Sequence, residues 1–356
     1  MAHALGLGRR GLGRTWPNPS VGCVIVREGR VVGRGTTAPG GRPHAEVVAL
    51  AQAGEAAAGA TAFVTLEPCA HHGQTPPCAE ALVAARIARV VVACPDPDPR
   101  VAGRGVALLR SAGVEVREGV LEAEARADLA GYLKVREQGL PGLTLKLATS
   151  LDGRIATATG ESRWITGPAA RRVVHGLRAR ADAVLVGSGT ARTDDPDLRV
   201  RDLGVAHQPV RVVLTRRLDL PSDSRLGRTA RETPVWLLHG SDAPAEARGR
   251  WLDAGAELTE IPVAEGRLDP EAALRALAAR GLTSVFCEGG GALAASLLQA
   301  GLVDQLVTFT AGLAIGAEGT PALGALGLDR LAEAPRYTLR ETRAVGPDAM
   351  QLWSRA

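Results

Sequence analysis

The string Pro43-His44-Ala45-Glu46 is followed by Glu67-Pro68-Cys69 and Pro77-Cys78. Imidazole and thiolate are side chains that zinc takes readily, and a catalytic zinc keeps three protein ligands with its fourth position left to water. His44, Cys69 and Cys78 supply such a set. Glu46, two residues past the histidine at the start of an expected helix, can reach an activated water without being a ligand. A zinc deaminase needs that division of labour: the metal lowers the pKa of water, and a carboxylate carries its proton to the attacked ring and the leaving amine. Helix N-termini near His44 and Cys78 favour carboxylate and thiolate charge. A closed structural zinc is the other reading. It needs a fourth protein ligand, which His71 or His72 could provide. Cys23, Cys94 and Cys287 stand alone and read as small buried hydrophobes.

The second half holds two weaker signals. Glu288-Gly289-Gly290-Gly291 follows an apolar strand and opens a helix, and Gly187-Ser188-Gly189-Thr190 follows another strand. Glycines at such turns let backbone amides approach a phosphate at a helix N-terminus. Neither is a G-x-G-x-x-G fingerprint, and a glycine triplet also makes plain turns.

The elements that must carry these residues follow an α/β rhythm. Residues 21–26 and 31–35 read as a hairpin and 36–43 as a loop. Residues 44–53 read as a helix, 60–66 as a strand, 67–77 as a loop and 78–85 as a helix. A strand at 89–93, a helix at 103–111, a strand at 114–117 and a helix at 122–137 follow. Residues 138–142, rich in Gly and Pro, mark the boundary between a domain over 1–140 and one over 141–356. There the rhythm restarts: strands at 143–147, 183–187, 210–214, 235–239, 284–287 and 306–310, and helices at 168–180, 271–279 and 292–300.

A chain of 356 residues suits two domains, and with 3% aromatics the cores must be built mainly from Ala, Val and Leu. The net charge of +4 comes from scattered Arg without a block of like charges, so it suits an anionic small molecule and no nucleic-acid partner is expected. Five Cys, an odd and sparse count, do not make a disulfide framework. Neither a signal peptide nor an apolar run of about 18 residues is visible, so no membrane partner and a cytoplasmic location are expected.

The general cytidine-deaminase-like signature has its two cysteines two residues apart. Here Ala70-His71-His72-Gly73-Gln74-Thr75-Pro76-Pro77 separates them. The whole string from Glu67 to Cys78, with Pro17-Asn18-Pro19-Ser20-Val21-Gly22-Cys23 upstream, resembles the deaminase half of the bifunctional riboflavin-biosynthesis deaminase–reductases. Lys146-Leu147-Ala148-Thr149-Ser150-Leu151-Asp152-Gly153-Arg154, Gly160-Glu161-Ser162-Arg163-Trp164-Ile165-Thr166 and Asp194-Asp195-Pro196 resemble the reductase half, in the same order.

The resemblance implies a cytidine-deaminase-like three-layer α/β/α domain followed by a dihydrofolate-reductase-like α/β domain. It implies zinc on His44, Cys69 and Cys78, with Glu46 as proton shuttle, and NADPH as second cofactor. Asn18 would hydrogen-bond a pyrimidine, with a turn role as the alternative, and residues 71–75 would shape the pocket. Ala148, Trp164, Thr190, Asp194 and the segment Gly290, Gly291, Ala292, Leu293, Ala294, Ala295 and Ser296 would contact NADPH. Ser162, Arg178, Leu198, Arg201 and Glu288 would contact substrate, the arginines forking to a sugar phosphate and Glu288 accepting from ribose hydroxyls. Lys146 and Asp152 lie near this site without a firm role. A homodimer through the reductase half is also implied. The substrate would be 2,5-diamino-6-(5-phosphoribosylamino)pyrimidin-4(3H)-one, deaminated and then reduced from ribosyl to ribityl. Where the pattern admits a small polar residue, this chain has Arg216, and with Arg217 it could meet the 2′-phosphate of NADPH or form a solvated basic turn. Two competing functions are a tRNA-type deaminase with an appended domain and a non-catalytic zinc- or nucleotide-binding protein.

Overall fold

The computed structural model describes residues 1–73 and 76–356. The chain divides into two compact units, Met1–Leu140 and Pro141–Ala356.

Unit one contains α1 (Ala2–Gly11), β1 (Gly22–Arg27), β2 (Arg30–Thr36), α2 (Ala45–Ala53), β3 (Thr61–Val64), α3 (Cys78–Ala84), β4 (Arg89–Val92), α4 (Arg104–Ser111), β5 (Glu115–Arg117), α5 (Glu122–Asp128) and α6 (Ala130–Gln138). Its sheet runs β2-β1-β3-β4-β5. The β1–β2 and β1–β3 pairs are antiparallel, and β3–β4 and β4–β5 are parallel. Successive side chains of a strand point to opposite faces. Cys23 and Ile25 of β1 join Ala45 and Ala49 of α2 in one core, while Val24 packs with Ala4 and Leu7 of α1 on the other face. The sheet is therefore the middle of three layers. Gly35 lets α2 sit close: a Cβ there would lie 2.0 Å from the carbonyl oxygen of Ala45.

Unit two contains β6 (Gly142–Thr149), β7 (Arg154–Ala156), α7 (Pro168–Arg178), β8 (Ala183–Gly187), α8 (Ser188–Asp194), β9 (Val210–Leu214), α9 (Arg225–Arg228), β10 (Val235–His239), α10 (Ala245–Ala254), β11 (Glu257–Glu260), β12 (Val263–Ala264), β13 (Arg267–Leu268), α11 (Pro270–Ala279), β14 (Ser284–Cys287), α12 (Gly291–Gln299), β15 (Gln305–Thr310), β16 (Thr320–Pro321), β17 (Tyr337–Val345) and β18 (Asp348–Arg355). The main sheet runs β11-β10-β9-β8-β14-β6-β15-β18-β17. It is parallel from β11 to β15, and β18 and β17 add antiparallel strands at one end. The central strands read as continuous apolar runs because helices cover a parallel sheet on both faces. Thus β9 and β10 are buried along their whole length.

Several elements depart from the sequence expectation. The single helix expected over 122–137 is two helices, broken at Leu129. The sequence reading passed over α1, α10, β11 and the β17–β18 hairpin. Three glycines in α1 lower its intrinsic helix propensity. Close approach compensates for this, since a Cβ on Gly22 would lie 1.9 Å from the carbonyl oxygen of Ala4. In β17 seven consecutive residues are exposed, so the strand shows no buried alternation. It forms through pairing with β18.

Candidate active sites

In unit one, His44 caps the N-terminus of α2, Cys69 lies in the loop after β3 and Cys78 opens α3. The fold brings the three ligand atoms within 4.8 Å of one another, the only such group found among the described residues. His44 Nδ1 lies 3.3 Å from Cys78 Sγ and 3.6 Å from Cys69 Sγ. These values bracket the edge of about 3.5 Å expected between nitrogen and sulfur of a tetrahedral zinc site. The backbone N–H of Cys78 donates to Cys69 Sγ at 3.2 Å. Hydrogen bonding from the Cys78 side chain, aided by His44, pulls the Cys69 thiol down to about 4. Cys78, the donor of that bond, is pushed up. Soft donors and spacing together fit a zinc ion.

Glu46, in the first turn of α2, is buried at 4% exposure. Burial first, then the negative charge of Cys69, raises its carboxyl to about 7. A carboxyl with that affinity, beside but outside the ligand set, is suited to holding and releasing a proton near neutrality. The fourth-ligand reading finds no support in His72, whose Nε2 lies 3.0 Å from Glu80, or in His71, which is absent from the cluster. Asn18 donates through Nδ2 to the Gly41 carbonyl at 2.9 Å, a turn role. The expectation that residues 71–75 shape the pocket includes Gln74 and Thr75, which lie outside the described residues.

In unit two, a cavity of about 820 Å³ opens where β6, β8 and β14 end. Ligands of open α/β sheets bind outside the carboxyl ends of the strands. Ala148, Ser162, Trp164, Arg178, Thr190, Asp194, Leu198, Arg201 and Glu288, scattered over 141 positions, all line it. Thr190 Oγ1 accepts from the Gly290 N–H at 3.0 Å, tying the glycine turn to this wall. Gly290 caps α12, and Gly291 and Ala292 form its first turn. Leu293 packs against Gly187 and Gly289. Ala294 and Ala295 are buried in the core, and Ser296 is half-buried behind them.

The zinc-binding region of cytidine and deoxycytidylate deaminases matches residues 1–94. The RibD C-terminal domain matches residues 141–351. The riboflavin biosynthesis protein RibD of Escherichia coli K12 is 44% identical over 360 aligned residues, covering 98% of this chain and 96% of that protein. The chain belongs to the RibD family. RibD of Acinetobacter baumannii has the same fold, with a TM-score of 0.90 and 41% identity over 100% of this chain and 97% of that one. So has a Thermotoga maritima deaminase/reductase, with a TM-score of 0.87 and 33% identity over the same shares. Like its RibD relatives, the chain is a bifunctional riboflavin-biosynthesis enzyme, a zinc-dependent deaminase joined to a reductase. No helix among the described residues is long and apolar enough to cross a membrane.

Two of the expected substrate residues, Arg178 and Glu288, meet each other in the cavity wall. Arg178 Nε and Nη2 donate to Glu288 Oε1 and Oε2 at 2.5 and 3.1 Å, and Nη1 donates to the Arg199 carbonyl. Two charges this deep must be paired. Arg201 keeps a guanidinium without an ion pair among the described residues, so it remains open to an anion. The sequence reading missed Arg171, Arg172 and His175, which also line the cavity. Spacings of four and three place Arg171, His175 and Arg178 on one face of α7, a signal available once that helix was assigned. Arg171 stacks 4.5 Å from the Trp164 ring and donates to the Thr166 carbonyl. Lys146 also lines the cavity, and burial lowers its pKa despite the opposing pull of Glu288. Asp152 accepts from Ile315 N–H and Gly316 N–H, pinning that loop. Arg216 forms an ion pair with Asp242 and donates to the Gly266 carbonyl.

Proposed function

We propose that unit one deaminates 2,5-diamino-6-(5-phosphoribosylamino)pyrimidin-4(3H)-one and that unit two reduces the ribosyl group of the product with NADPH. The observation that carries this reading is the convergence of His44, Cys69 and Cys78 beside the buried carboxyl of Glu46. His44, Cys69 and Cys78 would hold zinc, which supplies the Lewis acidity that activates water at neutral pH. Glu46 takes a proton from the attacking water and gives it to the adjacent ring nitrogen, then takes the second proton of that oxygen, now bonded to the ring carbon, and passes it to the departing amine as the carbon–nitrogen bond breaks and the carbonyl forms. Asn18 offers its carbonyl oxygen to the pyrimidine.

NADPH, when bound, supplies the hydride. Ala148, Trp164, Thr190, Asp194 and residues 290–296 hold it, the last through the backbone amides at the start of α12. Arg201 and Ser162 bind the sugar phosphate. Leu198 walls the substrate side, and the Arg178–Glu288 pair presents the outer carboxylate lone pairs to ribose hydroxyls. Lys146 donates the proton that the ring oxygen needs as the sugar opens.

Unit two also forms the homodimer contact. An exposed edge strand is a template for pairing with another chain, and β17, with Leu339 44% exposed, is such an edge. A cytoplasmic location suits five free cysteines.

Supplying the pyrimidine without and then with NADPH, while following ammonia and NADPH oxidation separately, tests both halves. Ammonia alone, then NADPH consumption on addition of cofactor, is the expected result. Ammonia without NADPH consumption removes the reductase reading, and neither signal from zinc-loaded protein removes both.

A further inference from the structure

Cys69 is held from two sides. On one side α3 grips it: the Cys78 N–H donates to its sulfur at 3.2 Å and the Ala79 N–H to its carbonyl at 3.1 Å. On the other side stands Glu67, two residues earlier and only 4% exposed. Its Oε1 accepts from the N–H groups of Gly105 and Val106 at 3.0 and 3.2 Å, and its Oε2 from Gly103 N–H at 3.0 Å. These are donors that the start of α4 leaves without a partner inside the helix, and the helix dipole favours a carboxylate there. The Glu67 N–H is itself tied to the Cys94 carbonyl at 2.9 Å. The residue between Glu67 and Cys69 is clamped as well, because a Cβ on Gly105 would lie 1.9 Å from the Pro68 carbonyl oxygen.

We propose that Glu67 is a positioning residue for the zinc ligand Cys69, acting by locking the Pro68-Cys69 span between the N-termini of α4 and α3. This rests on reading His44, Cys69 and Cys78 as a zinc site. Glu67 itself is outside the ligand cluster. Three N–H donors converge on its two oxygens, so a carboxylate is required. The amide of a glutamine would turn a donor toward at least one of them. A ligand bond tolerates only about 0.2 Å of displacement, so a loosened span weakens the metal before it unfolds the domain.

The test uses the full-length, zinc-loaded chain and reads zinc release to excess chelating dye at a temperature well below unfolding. The variants are Glu67→Gln, Gly105→Ala, their combination, and Leu109→Ala. Leu109 lies on the same helix but is buried in the core, so its truncation lowers stability without touching the span. Glu67→Gln and Gly105→Ala should each release zinc roughly 10- to 100-fold faster than wild type, the usual cost of losing a ligand's support. The combination should be no faster than the quicker single variant, since both loosen one span. Leu109→Ala should stay within about twofold of wild type at matched distance below its own melting temperature. Release from Glu67→Gln at the wild-type rate, or no faster than from Leu109→Ala, overturns the proposal. Wild-type protein that binds no zinc removes the zinc reading and this inference with it, an outcome distinct from normal zinc binding with unaltered release.

Discussion

Arg178 on α7 and Glu288, just after β14, lie 110 positions apart and meet as a two-pronged ion pair at 2.5 and 3.1 Å, with side chains 12% and 10% exposed. Burial works against both charges, but the Arg178 charge and hydrogen bonds hold the Glu288 carboxyl below its ordinary range. The pair forms part of the reductase cavity wall.

Removing one partner leaves the other charged and buried. Arg178→Met should destabilise unit two by about 3–5 kcal/mol and abolish NADPH oxidation. Arg178→Met combined with Glu288→Leu should recover most of that stability and none of the activity. Denaturant unfolding followed by tryptophan fluorescence suits the test, because Trp164, Trp236, Trp251 and Trp353 all lie in this unit. Ammonia release should persist in both variants.

Glu46→Gln should retain zinc, because Glu46 is outside the ligand set, and should lose deamination by about 10²- to 10⁴-fold, the range for a missing proton carrier. Metal analysis and ammonia release on the same preparation check both. Loss of zinc would contradict the division between ligands and shuttle. NADPH oxidation with the deaminated pyrimidine should be unchanged.

Asp98 accepts from Arg100 Nε at 2.9 Å and from the Arg100 backbone N–H at 3.0 Å. The Arg100 side-chain bond, chiefly, lowers its carboxyl to about 2. A carboxyl lower in the folded than in the unfolded chain adds stability that is complete above about pH 4 and lost as pH falls through about 2. Arg100 is 59% exposed, so solvent screening limits the pair to about 1 kcal/mol or less. Asp98→Asn should therefore weaken protection of the β4 amides against hydrogen exchange at pH 7, with the difference from wild type shrinking between pH 4 and 2.

Arg216 is already engaged by Asp242 at 2.8 Å and by the Gly266 carbonyl at 2.7 Å. A cation so neutralised adds little to a 2′-phosphate contact. Arg216→Ala should change the ratio of NADPH to NADH kcat/KM by less than about threefold, corresponding to roughly 0.6 kcal/mol. A tenfold fall would show that the pair opens to receive the cofactor.

Local patterns were enough for part of this protein. His44 and Glu46 stand two apart at a helix start, and Cys69 and Cys78 each follow a proline, so residue type and spacing singled out the three side chains that the fold draws together and the buried carboxyl in the same helix turn. The buried strands of both units were legible too, because a sheet covered on both faces demands unbroken apolar runs such as residues 183–186. The boundary near residue 140 showed itself through Gly and Pro. Other features depended on contacts between distant segments. Sequence assigned Arg178 and Glu288 separately to a ligand, and only the packing of α7 against the end of β14 joined them, because buried charges neutralise whatever neighbour the fold provides. The helix α1 and the hairpin β17–β18 carry weak local signals, three glycines in one and an exposed face in the other. Close backbone approach at Gly22 stabilises the first, and ladder pairing with β15 stabilises the second.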